Sequence, residues 1–283
     1  MQPKTRQITQ IALPVSAEFM VMLVLNFVNQ VIVGSLGAVP IAAVGFANSV
    51  IFIVTITLSA IGNSVSILAA RAFGGGRLHE LNQVVSVAIS LSIGLGALFT
   101  IWPALAPEQM LRICGGSATV AAAGAEYFRY ASMALIPALI SAVLSGVLRS
   151  TNHARGPLQA TSVTVVLNTL LGYGLVFGIG PLPELGAAGA GVATLITAIL
   201  KTLIVGYQAF RLFNVAHWEL PEHWRQWLPI AQPLFVLAIP MGITELVWTL
   251  GILGYNVINQ ALGDEALAGA QIAYTLEGIF ILG

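Results

Sequence analysis

The chain is 283 residues long, 57% hydrophobic and only 8% charged, with a formal net charge of +0. Soluble domains carry about 25% charged residues, so this composition excludes a surface that faces water on all sides. The balanced charge leaves no basic footprint for nucleic acid, and the single cysteine, Cys114, excludes an intramolecular disulfide and a cysteine-rich metal site.

A helix needs about 20 mostly apolar residues to cross a bilayer. Eight stretches qualify, at 11–33, 46–69, 84–106, 120–148, 158–177, 187–210, 234–261 and from 266 to the end. The fold class expected is an all-α integral membrane bundle. Lys4 and Arg6 precede the first stretch, but no small-residue cleavage site follows it, so it reads as a span and not as a signal peptide.

Span 1 carries Glu18, Met22, Asn26 and Asn29 on one face, at spacings of four, four and three. Its Pro14 removes a backbone hydrogen bond and bends the helix, as a fixed kink or as a moving hinge. The first turn, 35–40, is short. Span 2 aligns Asn48, Thr55, Ser59, Asn63 and Ser66. In span 4, Glu126 and Arg129 stand three apart, the spacing of a structural pair on one helix face. Span 5 has a shorter stripe of Thr161, Thr164 and Asn168, and the turn at 180–185 is again short. Gly186, Gly189 and the nearby alanines then allow close helix packing. In span 6, Lys201 is expected to snorkel toward the cytoplasm.

The longest connection runs from 211 to 232, and its Trp218, Trp224 and Trp227 suit a segment at headgroup level. Span 7 lines up Glu245, Trp248, Tyr255 and Asn259 beyond Pro240, a second bend, and span 8 holds Glu277. Polar groups are avoided on lipid-facing surfaces, because an unsatisfied one costs several kcal/mol in hydrocarbon. The stripes are therefore either interhelical glue, worth about 0.6 kcal/mol per bond, or the lining of a water-filled cavity. Trp248 either packs or stacks on a cationic substrate. His79, His153, His217 and His223 fall in turns without metal-ligand spacing and read as solvated, so no metal is expected.

Lys4, Arg6, Arg71, Arg77, Arg149, Arg155, Arg211 and Arg225 all lie at the N-terminus or in even-numbered turns. By the positive-inside rule the N-terminus is cytoplasmic. Sliding the sequence on itself by 226 residues aligns 11–47 with 237–273 without a gap. Pro14 meets Pro240, and Leu36-Gly37 meets Leu262-Gly263. Six spans separate the copies, so both enter the membrane in the same direction. That is a parallel repeat, as in transporters that rock two bundles about a central site. The expected organisation is a six-helix bundle over 1–212, an interfacial linker over 213–233, and the first two helices of a second bundle over 234–283, which stops incomplete.

The order and spacing of several short motifs resemble those of the MATE (multidrug and toxic compound extrusion) family. They are Leu13-Pro14, Val33-Gly34-Ser35-Leu36-Gly37, Ala42-Ala43-Val44-Gly45, Ala70-Arg71-Ala72-Phe73-Gly74, Gly146-Val147-Leu148-Arg149-Ser150, Leu167-Asn168 and Leu185-Gly186-Ala187-Ala188-Gly189-Ala190. The resemblance covers nearly the whole chain. It implies twelve helices in two bundles related by a pseudo-two-fold axis, working as a monomer in the inner membrane. It implies export of organic cations or other small amphiphiles against inward H⁺ or Na⁺, with no other cofactor and membrane lipid as the remaining partner. The wider superfamily also holds flippases for lipid-linked substrates, which is the alternative reading. An enzyme is not expected: there is no His-Glu-x-x-His, no Gly-x-Ser-x-Gly, and the sole aspartate, Asp264, lies in a turn.

One departure bears on coupling. Many relatives have Asp-Thr ahead of Val-Gly in span 1, an aspartate tied to proton or Na⁺ binding. Here that pair is Asn29-Gln30, and an asparagine cannot titrate. Asn29 and Asn168 still offer carbonyl oxygens. The titrating group is then expected at Glu18 or Glu245, with Glu277 as a further acidic position that the resemblance implies. Asn26, Asn48, Asn63, Trp248 and Tyr255 are the expected cavity and substrate residues.

Overall fold

The computed structural model describes the backbone of residues 3–262, every one of them in helix, turn or short irregular connection. Helix α1 spans Pro3–Gly34, α2 Ala38–Gly74 and α3 Leu78–Leu105. A short α4, Pro107–Ile113, leads to α5 (Ala118–Met133) and α6 (Leu135–Ser150). Then follow α7 (Arg155–Phe177), α8 (Ala187–Tyr207) with a π turn at Gln208–Leu212, and α9 (Trp224–Leu262). Six helical stretches among the described residues are long and apolar enough to cross a membrane, and the apolar run Ala12–Leu25 lies within α1. These seven correspond to the first seven expected spans. The eighth, with Glu277, lies outside the described residues.

Proline explains where the helices differ from the sequence reading. Span 4 is two helices, because Pro137 has no N–H and its ring crowds the carbonyl of Met133 four residues back. The chain breaks at Ala134, whose N–H turns to the Ala131 carbonyl at 3.2 Å. Ser117 caps α5 by accepting from the Val120 N–H at 3.3 Å. The first turn is shorter than expected: Gly37, at φ +115°, supplies the left-handed step and α2 starts at Ala38. The linker is shorter as well. Helix α9 begins at Trp224 and absorbs Pro229, Pro233 and Pro240, leaving only 213–223 irregular.

That irregular segment is fastened to the bundle. Asn82 of α3 donates to Glu219 Oε2 at 3.2 Å and accepts from the His217 N–H at 2.9 Å. Ser86 accepts from the Glu219 N–H at 2.8 Å. His79 Nδ1 lies 2.7 Å from Glu219 Oε1, and the His153 ring stacks on Phe213 at 4.2 Å. Two histidines read as solvated are thus engaged in docking the linker.

The main core joins Val65 of α2, Leu81 and Val85 of α3, Val143, Leu144 and Leu148 of α6, and Ala231, Leu234 and Ala238 of α9. Helix α9 therefore packs into the first bundle, with Gly242 close against Thr57 of α2. Small residues set the tightest crossings. A Cβ on Gly146 would lie 2.7 Å from the Gly62 carbonyl oxygen, and one on Gly189 would lie 2.6 Å from Leu175 backbone atoms. The glycine-alanine stretch at the start of α8 thus does bring α7 and α8 together. Leu98, Trp102, Leu105, Val166, Leu170 and Leu203 point outward, the face a lipid-embedded bundle presents.

Candidate functional site

Residues from four helices converge where α6 ends and α7 begins. Glu18 projects from α1 one turn past Pro14, and Arg149 sits in the last turn of α6. Thr161 lies two turns into α7, and Lys201 lies in the last two turns of α8. Arg149 Nη2 donates to Glu18 Oε2 at 2.7 Å. Thr161 Oγ1 donates to Oε1 at 2.9 Å, and Lys201 Nζ approaches the same oxygen at 3.4 Å. Glu18 is 3% exposed and Thr161 2%, so the carboxylate has no other source of solvation than these partners. An unpaired charge in such a place costs at least about 2.5–3.5 kcal/mol.

The cluster differs from the sequence reading in two ways. Lys201 does not snorkel to the aqueous side; it turns inward to Glu18. Glu18 is not a lone carboxyl beside a bend, because one anion is shared by two cations. The sequence held a signal for this. A lysine deep in an otherwise apolar helix demands a partner, and Glu18 was the buried acid available. What the sequence lacked was the side-by-side placement of α1, α6, α7 and α8.

A second polar contact continues the same seam. Two turns beyond Thr161 on α7, Asn168 donates to Thr197 Oγ1 of α8 at 2.9 Å. Thr197 is one turn before Lys201 and donates in turn to the Ala193 carbonyl at 2.7 Å. Both side chains are buried. Asn29 lies half-buried on α1, about 16 Å along the helix from Glu18. An even number of crossings separates α1 from α7, so the two run the same way. Asn29 therefore lies about 6 Å farther along the bundle than Asn168.

The remaining expected residues scatter. Asn48 and Asn63 are exposed on α2. Ser59 and Thr57 return their hydroxyls to their own helix, donating to Ile56 and Ile53 carbonyls. So do Ser64, Ser90, Thr164 and Thr194, which means that most hydroxyls here are not interhelical glue. Cross-helix bonds from hydroxyls are fewer: besides Thr161 to Glu18, they are Thr202 to the Pro137 carbonyl at 2.6 Å and Thr100 to the Ser132 carbonyl at 3.1 Å. Glu126 and Arg129 make the expected pair at 3.1 Å. On α9, Glu245 is half-buried and Trp248 is 53% exposed. No side chain among the described residues bonds the Glu245 carboxylate. Asn26 lies on α1, and Tyr255 on α9. Pro14 is buried and Pro240 exposed, both inside their helices.

No group of three or more His, Cys, Asp or Glu that could hold a metal occurs among the described residues. A small pocket between α2, α3, α4 and α5, lined by Val50, Phe99, Met110 and Phe128 among others, is almost wholly apolar and contains none of these groups. The buried ionisable groups Glu18, Arg149 and Lys201 lie in the seam, away from that pocket.

Comparison with known proteins agrees with the helical arrangement. The MatE family model matches residues 14–174, more than half of the chain. A probable multidrug resistance protein NorM of Rhizobium meliloti is 33% identical over 261 residues, which is 91% of this chain and 55% of that protein. A protein of the same name from Thermotoga maritima is 24% identical over 276 residues, 97% of this chain and 59% of its own. A crystal structure of a MATE in a bent conformation superposes with a TM-score of 0.86 at 20% identity, over 98% of this chain and 61% of that one. The chain thus spans a little over half the length of the curated relatives it matches. It belongs to the MatE family, and its members are transporters, not enzymes.

Proposed function

We propose that this chain works in a secondary active antiporter that exports organic cations or other small amphiphiles in exchange for inward H⁺ or Na⁺. It would do so in the bacterial inner membrane, with its N-terminus in the cytoplasm, as the arginines of the even-numbered turns favour. The NorM relatives, named as probable multidrug resistance proteins, support export of varied small molecules. One observation carries the coupling assignment. Of the two intramembrane glutamates singled out beside prolines, Glu18 is held by two fixed cations, whereas Glu245 has no partner among the described residues. A carboxyl without a fixed counter-ion is the group free to load a proton or a metal cation and to release it. Asn29 and Asn168 supply neutral oxygens for the substrate or the ion, and the π face of Trp248 is open to a cationic group.

The test is efflux of a fluorescent lipophilic cation from proteoliposomes, with pH and Na⁺ gradients imposed separately. Efflux should follow one of the two gradients. Glu245→Gln should remove that dependence at unchanged folded yield. Gradient-independent behaviour in both, together with scrambling of a lipid-linked sugar, would replace this assignment with a flippase.

A further inference from the structure

We propose that Arg149 and Lys201 form a recognition site for an anionic oxygen group, a carboxylate or a phosphate, with Glu18 as the buried group that orients them. Three observations lead there. The first is charge. One carboxylate faces two cations, so the cluster carries a surplus of one positive charge inside a low-dielectric bundle. The Arg149–Glu18 contact at 2.7 Å is already a complete ion pair, which leaves the Lys201 ammonium, at 3.4 Å, only partly neutralised. A buried charge persists when it is paired, and the missing partner of this one is an anion.

The second observation is the direction of exposure. The Glu18 side chain is 4% exposed, whereas those of Arg149 and Lys201 are 27% and 19% exposed. What exposure the cluster has thus belongs to the two cations and not to the carboxylate. An ammonium and a planar guanidinium held together are the standard chemistry for phosphate and carboxylate oxygens. The third observation is an orphan donor. Arg149 Nε is buried and has no hydrogen-bond acceptor. Buried polar groups are satisfied in the great majority of cases, and an unmet one points to a water or ion that completes it.

The same surplus disfavours a free metal cation at this cluster. Glu18 offsets one of the two cations, and the remaining positive charge repels a metal cation at short range. The site lies where α6 ends and α7 begins, near Arg155 at the start of α7, which places it at the cytoplasmic mouth if the N-terminus is cytoplasmic. Its ligand is thus the acidic group of a zwitterionic or anionic amphiphile, or the phosphate of a lipid headgroup.

The inference goes beyond the efflux reading, and its test reads binding without flux, so the two can fail separately. The purified chain in nanodiscs is unfolded by heat under two sets of conditions. In phosphatidylcholine discs, inorganic phosphate or acetate is titrated against chloride at constant ionic strength. In the other arm, phosphatidylglycerol replaces phosphatidylcholine at a fixed low salt concentration. A saturable rise in the unfolding midpoint is expected in at least one arm. The free-anion arm assigns a soluble acidic ligand, and the lipid arm assigns a headgroup. Lys201→Met should weaken the apparent affinity at least tenfold, and Lys201→Arg should hold it within about threefold. Lys201→Met leaves the neutral Arg149–Glu18 pair and so is expected to fold. Arg149→Lys keeps the charge but loses the Nε donor and the fork, and it should also weaken binding, which keeps the claim testable if the Met variant does not fold. No saturable response in either arm, or a Lys201→Met response equal to that of the parent, overturns the proposal.

Discussion

Glu18→Gln converts one anion between two cations into two cations with no counter-charge. The substitution is nearly isosteric, so packing is preserved and the change is electrostatic. Breaking a buried pair by removing one partner costs about 3–5 kcal/mol. The upper end is expected here, because Arg149 and Lys201 both lose their carboxylate and also repel each other. Arg149→Met removes the short 2.7 Å contact but leaves Lys201 to hold Glu18, so a smaller cost of about 2–3 kcal/mol is expected. Lys201→Met leaves a complete pair and should change stability by no more than about 1 kcal/mol. Replacing all three at once, with Glu18→Leu, Arg149→Met and Lys201→Met, removes the desolvation penalty together with the attraction. That variant should be within about 1 kcal/mol of the parent or more stable. The assay is reversible unfolding in mixed micelles, with Glu18–Arg149 and Glu18–Lys201 double-mutant cycles. The reasoning is refuted if Lys201→Met costs as much as Arg149→Met, or if Glu18→Gln is neutral.

Two further outcomes test the packing and the topology. Gly146→Ala should destabilise by about 1–3 kcal/mol, since the new methyl would lie 2.7 Å from the Gly62 carbonyl oxygen. Gly94→Ala, on an open face of α3, should instead be neutral or stabilising by up to about 1 kcal/mol in the same unfolding assay. Cys114, exposed in the turn between α4 and α5, should be labelled by a membrane-impermeant maleimide in intact spheroplasts if the N-terminus is cytoplasmic. His217→Cys in a Cys114→Ser background should stay unlabelled until the membrane is opened. Partial burial raises the Cys114 thiol above its ordinary value. The thiolate is the reactive form, so the labelling rate should rise about tenfold per pH unit across the neutral range. Labelling of His217→Cys from outside would invert the topology.

The spans were legible because a membrane reduces the folding problem to length and apolarity. Seven expected stretches became helices, and Gly189 packs α7 against α8 in the way small residues allow. What misled was proline. Pro137 splits span 4, whereas Pro229, Pro233 and Pro240 leave α9 in one piece, and single-chain patterns do not say when neighbouring helices will hold a proline in line. The seam itself was half visible. Thr161, Thr164 and Asn168 fell on one face as expected, and two of them make the cross-helix bonds to Glu18 and Thr197. Lys201 signalled that some buried acid must meet it, but the pattern of α1 could not name the partners of Glu18, because they lie 131, 143 and 183 residues away in sequence. Their meeting depends on which helices neighbour α1, and nothing in the periodicity of α1 encodes that.

The repeat sharpens the contrast between the two glutamates. A shift of 226 residues carries the ends of α1, at 3 and 34, to 229 and 260, both inside α9, and it superimposes Pro14 on Pro240. The remainder of the aligned region, 263–273, lies outside the described residues. Under the same shift Glu18 falls on Thr244, one residue before Glu245. One residue on a helix is about 100° of rotation. The two aligned stretches therefore carry their acids at different angles relative to their prolines. On α1 the acid faces α6, α7 and α8 and is buried among fixed cations. On α9 it stands three residues past Gly242, on the side that packs on α2, and it stays half-buried with no side-chain partner among the described residues. A single-residue offset in the aligned sequence thus goes with two different surroundings: a carboxylate held by Arg149 and Lys201 on α1, and one without a fixed counter-ion among the described residues on α9.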